Sequence, residues 1–413
     1  MNELFSFLKK YLYPLLNIGL YQIINLITPF IILPLQIRNI VPEGLSKVFY
    51  FQAIFTFIGV FVAFGLNQNG TRLLAKINNR NDQLNLLFQV SLIKLLTYLF
   101  CILSISLIIL LGEGFDHLIL FLVCSWPIML DILIPEWYYQ GIKKTKIIFQ
   151  KIATVKVILI LGNIFLLPHF NKPIIVPVLN VLGILIVFVL SIRQEHIIQL
   201  KTNNSAVFDK QGITQNLKES FHFFSVNISS KIYLSSGKLV IGSFAPGNMI
   251  IIYEVLEKIL NLLKVPNTII NQVFFVYSNE KNSSANKMYR RNLLFLGVFG
   301  NLILMATIFL LGEMIFNYLT NYKYPHQGII YLISFIPIVI FVGQYYGLHS
   351  LVTQGFLKQF SRCINLGVIL FVILMLIGII LKIISIHFIY SAMLLTEIII
   401  TFLIIRSNKK YVI

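Results

Sequence analysis

Four lysines fall inside two consecutive apolar stretches of this 413-residue chain, Lys231 and Lys238 in one and Lys258 and Lys264 in the next. On a helix, Asn227, Lys231, Ser235 and Lys238 follow one another at steps of four, four and three, so they share one face. Glu254, Glu257, Lys258, Asn261 and Lys264 form a second stripe. A lysine at the centre of a bilayer costs about 2.5–3.5 kcal/mol on insertion scales, and four of them facing lipid would cost on the order of 10 kcal/mol. Such residues belong on the wall of a wet cavity, where their ammonium groups are point-charge partners for an anionic, phosphate-bearing headgroup. The second stripe has a structural alternative: Glu254 precedes Lys258 by four residues, the orientation that favours an intrahelical ion pair. Lys264 is close enough to the inner surface for its stem to carry the charge out.

Acids at membrane depth are the material of ion or proton coupling. Asp131, Glu254 and Glu397 are the candidates here, each with the alternative of pairing with a nearby lysine. Lys94 and Lys156 also lie inside apolar runs, nearer the inner end, and are expected to snorkel to the headgroups. The seven histidines are read as scattered over loops and ends without metal-ligand spacing, and the chain has no phosphate loop, dinucleotide fingerprint or HExxH. No metal or cofactor is indicated. Cys101, Cys124 and Cys363 are an odd set with no paired spacing, read as small core residues rather than a disulfide framework.

The elements that must position these side chains are set by composition. With 57% hydrophobic residues, 12% charged and a mean hydropathy of +0.85, the chain is an all-α polytopic membrane protein of about 12 transmembrane helices. Apolar runs occur at Leu12–Ile37, Val48–Leu66, Leu86–Leu111, Leu118–Ile134, Ile147–Leu167 and Ile174–Ile192. Six more follow at Phe221–Phe244, Met249–Val276, Asn292–Leu311, Gly328–Leu348, Ile364–Leu381 and Phe388–Ile405. Lys9 and Lys10 before the first run resemble the opening of a signal peptide, but the run is too long and lacks a small-residue cleavage site. Pro14, Pro29 and Pro34 predict kinks in it.

The net charge of +18 follows the membrane rather than a nucleic acid. With both termini inside, basic residues crowd the inner segments, Arg72, Lys143, Lys144, Lys201 and Arg290 among them. The outer loops hold only Arg38, Lys47, Lys172, Lys323 and Lys382. This is the positive-inside pattern.

A polar stretch over 193–220 reads as a cytoplasmic linker between residues 1–192 and 221–413, two six-helix bundles. Leu110–Glu113 is repeated as Leu310–Glu313, each closing a third span, and Gln140-Gly141 as Gln354-Gly355. Parallel halves of this kind imply pseudo-twofold symmetry around a central cavity. No outer loop is long enough for an extracellular domain, which argues against a multi-span glycosyltransferase or polymerase and for a protein that is not an enzyme.

Two local sequences resemble the Wzx-type O-antigen flippases of the polysaccharide-biosynthesis family, within the multidrug/oligosaccharidyl-lipid/polysaccharide exporter superfamily. They are Phe64-Gly65-Leu66-Asn67 with Gly70-Thr71-Arg72, and Pro135-Glu136-Trp137-Tyr138-Tyr139-Gln140-Gly141. Ala63 and Lys143 depart from the family's pattern, where acids are common. The resemblance implies a non-enzymatic flippase of the bacterial cytoplasmic membrane. Its substrate would be an undecaprenyl-pyrophosphate-linked oligosaccharide, moved from the inner to the outer leaflet with an ion gradient, and a polysaccharide polymerase and chain-length regulator would be its partners. Arg72 would be a first phosphate contact or a positive-inside anchor. A cation-coupled multidrug exporter of the same superfamily is the alternative, and would favour an acidic cavity.

Overall fold

The computed structural model describes residues 24–411 apart from 75–76, 78, 113, 143, 196–209, 246, 279–282 and 322–327. Among these residues there is no strand, as expected where lipid forces the backbone to satisfy its own hydrogen bonds. The chain is an all-α polytopic membrane protein. Helix α1 covers 24–39 and is followed by α2 (Pro42–Ala63), α3 (Leu66–Leu74), α4 (Arg80–Gly112), α5 (Phe115–Cys124), α6 (Trp126–Leu133), α7 (Glu136–Gly141), α8 (Thr145–Phe165) and α9 (Ile175–Glu195). Then come α10 (Lys210–Phe244), α11 (Met249–Ser278), α12 (Ser283–Thr320), α13 (Ile329–Tyr346), a π-helical turn (Gly347–Val352), α14 (Leu357–Ile380) and α15 (Ile386–Tyr411). Taking α5 with α6 as one broken span and leaving aside the short α3 and α7, the described residues make twelve passages, matching the twelve apolar runs. Among the described residues, eight helical stretches are long and apolar enough to cross a membrane.

Packing divides the chain into two units, Met1–Ser235 and Ser236–Ile413. In the first, α2 packs on α4 and α5, α8 pairs with α9, and α3 lies against α7. Helix α4 shows how one sequence serves two environments. Leu86, Val90, Lys94, Tyr98 and Ile102 are buried at steps of four. Leu96, Phe100, Leu103, Leu107 and Leu111 form an exposed face suited to lipid.

The second apolar run does not continue as one helix. Phe64 (φ 40°) and Gly65 (φ 69°) adopt left-handed backbone, which costs a β-carbon-bearing residue about 1–2 kcal/mol. Phe64 stacks on Phe224 with ring centroids 4.6 Å apart, and a β-carbon at Gly65 would fall 2.3 Å from the Ser220 carbonyl oxygen. The fourth run is also interrupted, at Ser125, because Pro127 has no N–H to donate to the carbonyl one turn back. The Ser125 and Tyr98 hydroxyls meet at 2.6 Å.

In the second unit α13 packs against α11, α12 and α15, and α14 against α15. Amide side chains tie them together: Asn267 donates to the Pro337 carbonyl at 2.8 Å and accepts from Asn301 at 2.7 Å. His349, expected at a loop or span end, is instead buried in the π-helical turn, its Nε2 2.9 Å from Asn271 Oδ1. The repeated tetrapeptides also differ from expectation. Leu110–Gly112 ends α4, but Leu310–Glu313 lies inside α12, which runs on to Thr320. Gly141 is helical, whereas Gly355 has φ 91°.

Candidate functional site

The two motif segments of the first unit interlock. Trp137, on α7, is buried with Leu66, Leu74, Leu86 and Val90, and Gly70 gives its ring room: a β-carbon there would lie 2.6 Å from Cε3. Thr71 donates through Oγ1 to the Trp137 carbonyl at 3.1 Å. This packing delivers Asn67 and Asp131 to a common point.

At that point Lys94 Nζ donates to Asp131 Oδ2 at 2.7 Å and to Asn67 Oδ1, and Asn67 Nδ2 donates to Asp131 Oδ2 at 3.2 Å. Lys94 has 0% relative exposure. It does not snorkel, because its place on the buried stripe of α4 points it inward, where Asp131 and Asn67 compensate its charge. Asp131 is the more open partner, its side chain 31% exposed.

Asp131 borders two hollows. The larger, about 620 Å3, is bounded by Gln52, Thr56 and Gly59 of α2, by Asn67 and Gln68, and by Cys124, Ile128 and Asp131. The smaller, about 370 Å3, shares Asn67, Gln68 and Asp131 and adds Glu136, Trp137 and Gln140. Gln52, Thr56 and Gly59 recur at steps of four and three on α2 and so face one way, while Cys124 ends α5 and Ile128 and Asp131 lie three apart on α6. This hollow was missed at the sequence level, although a glutamine and a threonine on one face of an apolar run were a legible signal.

Lys238, Glu254, Lys258 and Lys264 belong to the second unit. Lys238 donates to Glu254 Oε2 and Lys258 to Glu254 Oε1 at 3.0 Å. Glu254 is buried, 4% exposed, so both lysines converge on one carboxylate. Lys264 lies on α11, six residues beyond Lys258. Lys231 and Asn227 lie on α10, and their side chains fall outside the described residues. Arg72 Nη2 bonds Glu219 Oε2 at 2.6 Å and Asn69 Oδ1 at 2.8 Å on a half-exposed surface. Thus Lys238, Lys258 and Glu254 are brought together, as are Asp131 and Lys94, while Arg72 stands in a separate ion pair.

Apolar helical passages that bury ion pairs and border amide-lined hollows define a polytopic membrane protein. A family model described as polysaccharide biosynthesis protein matches residues 15–280, and the chain belongs to that family. It is 22% identical over 352 residues to a protein named "Putative O-antigen transporter" from Shigella dysenteriae, covering 84% of this chain and 87% of the relative. A protein of the same name from Escherichia coli (strain K12) is 21% identical over 350 residues, covering 82% of each chain. Among solved structures, the lipid II flippase MurJ in an inward closed conformation superposes with a TM-score of 0.68 at 16% identity, over 95% of this chain and 87% of that one. An inward-facing multidrug resistance MATE family transporter of the MOP superfamily gives 0.66 at 14% identity, over 95% and 96%. The fold is therefore that of this superfamily.

Proposed function

We propose that the chain flips undecaprenyl-pyrophosphate-linked oligosaccharide repeat units from the cytoplasmic to the outer leaflet of a bacterial cytoplasmic membrane, by alternating access coupled to an ion gradient. Membership of the polysaccharide biosynthesis protein family carries the reading. The convergence of Lys238 and Lys258 on Glu254 inside the hydrophobic passages supports it. A diphosphate offers those lysines the same charge-assisted contacts as the carboxylate, so Glu254 acts as the counter-ion of the empty site and yields to substrate. Lys231, Asn227 and Lys264 extend the cationic face, with Arg72 the first phosphate contact at the inner surface. Asp131, Glu254 and Glu397 are the coupling acids. The halves 1–192 and 221–413, joined by 193–220 with both termini inside, rock against each other around a central cavity. A polymerase and a chain-length regulator act on the product.

The test is a deletion strain complemented with the wild-type gene or with Lys231→Ala/Lys238→Ala, scored for surface polymer and lipid-linked intermediates. Loss of polymer with single repeat units held on the inner leaflet, restored by wild type only, is the expected result. Normal polymer in the deletion strain, in a background with no second flippase, would overturn it in favour of a multidrug exporter of the same fold.

A further inference from the structure

We infer that the paired hollows of the first unit, around Gln52, Thr56, Gln68, Asp131 and Trp137, bind the uncharged sugar hydroxyls of the substrate and exclude its diphosphate. The inference rests on the flippase reading and assigns one part of the substrate to one place.

Charge is the first argument. Among the described residues lining the two hollows there is no lysine or arginine, and the charged ones are Asp131 and Glu136. A diphosphate would meet like charge there without a cation in reach, because the nearby Lys94 is fully buried and already holds Asp131 and Asn67. A cationic drug gains little from Asp131 either, since Lys94 has neutralised it at 2.7 Å. What the hollows offer is neutral hydrogen bonding together with two carboxylates, Asp131, which Lys94 compensates, and Glu136.

Acceptor and donor capacity point the same way. A carboxylate has about four lone-pair sites, and Asp131 spends part of them on Asn67 and Lys94 while its side chain stays 31% exposed. It can therefore accept from adjacent hydroxyls of a sugar ring. Trp137 borders the smaller hollow with its buried indole. The side-chain amides of Gln52 and Gln140 on the walls of the hollows supply the complementary donors. The apolar side chains of Phe55, Val60 and Ile128 across the larger hollow suit the C–H faces of a sugar. Its volume of about 620 Å3 lies within the roughly 300–1,000 Å3 typical of small-ligand sites.

The experiment uses full-length protein in lipid nanodiscs. Only two tryptophans occur in the chain, so Trp126→Phe leaves Trp137 as a single fluorescent reporter inside the site. The probe is the delipidated repeat-unit oligosaccharide released by mild acid from the producing strain's own surface polymer. Saturable change of Trp137 emission is expected, unaffected by inorganic pyrophosphate or tetraphenylphosphonium. Gln52→Leu and Gly59→Leu, the second filling the larger hollow, should weaken the apparent affinity at least tenfold. Gly59→Ala checks folding, since its β-carbon would meet nothing closer than Ile128 Cγ1 at 3.9 Å. An unresponsive Trp137 in protein of native thermal stability, or competition by pyrophosphate or by tetraphenylphosphonium, overturns the assignment. The flippase reading fails separately, through normal polymer in the deletion strain.

Discussion

At the residue scale, Lys94 and Asp131 are an unequal pair. The lysine side chain is 1% exposed and the carboxylate 31%, so removing one partner does not mirror removing the other. Asp131→Asn strands a buried ammonium and should destabilise the protein by about 3–5 kcal/mol. Lys94→Met leaves a carboxylate that water can reach and should destabilise it less, while Lys94→Met with Asp131→Asn should recover most of the loss. Thermal unfolding of the purified variants checks this, and equal shifts for the two single variants would refute the asymmetry. Both residues were legible as charged groups at membrane depth, and pairing was an open alternative for Asp131. The direction of Lys94 was not legible, because snorkelling and burial differ by which face of α4 meets the protein, a fact of packing rather than of position along the run. Glu254 and Lys258 were legible as a pair from their spacing. The share of Lys238 in that carboxylate comes from the approach of α10 to α11.

At the element scale, glycine positions decide how closely helices approach. In α12, a β-carbon at Gly297 would fall 1.7 Å from the Phe341 ring of α13, which is itself buried, whereas at Gly300 it would meet nothing within 4 Å. Gly297→Ala should therefore force the helices apart, costing about 1–3 kcal/mol. Gly300→Ala on the same helix should stabilise slightly, by about 0.5–1 kcal/mol, through lost backbone entropy of the unfolded chain. Melting temperatures moving in opposite directions would bear this out; a common direction would not. Neither the stop after Ala63 nor the break at Ser125 shows in hydropathy, since both lie inside continuous apolar runs. Local chemistry marks them instead, a glycine in left-handed backbone at 65 and a proline at 127.

At the scale of the whole molecule, the charge pattern predicts sidedness. In a cysteine-free background, Lys172→Cys in an outer loop should react with a membrane-impermeant maleimide in intact cells, and Lys358→Cys only after permeabilisation. Both positions are exposed in the structure, so accessibility reports the membrane side; the reverse labelling would invert the orientation. The sequence by itself determined the class, the twelve passages and the membrane-depth charges, because insertion into lipid is governed by the hydropathy of contiguous segments and by the high cost of isolated charge. Tertiary structure alone decided that Lys94 is held by Asp131 and Asn67, that Glu254 gathers Lys238 and Lys258, and that Gln52, Thr56 and Asp131 enclose a hollow. Those facts depend on which helix faces meet, and a face acquires its neighbour only when helices distant in sequence pack together.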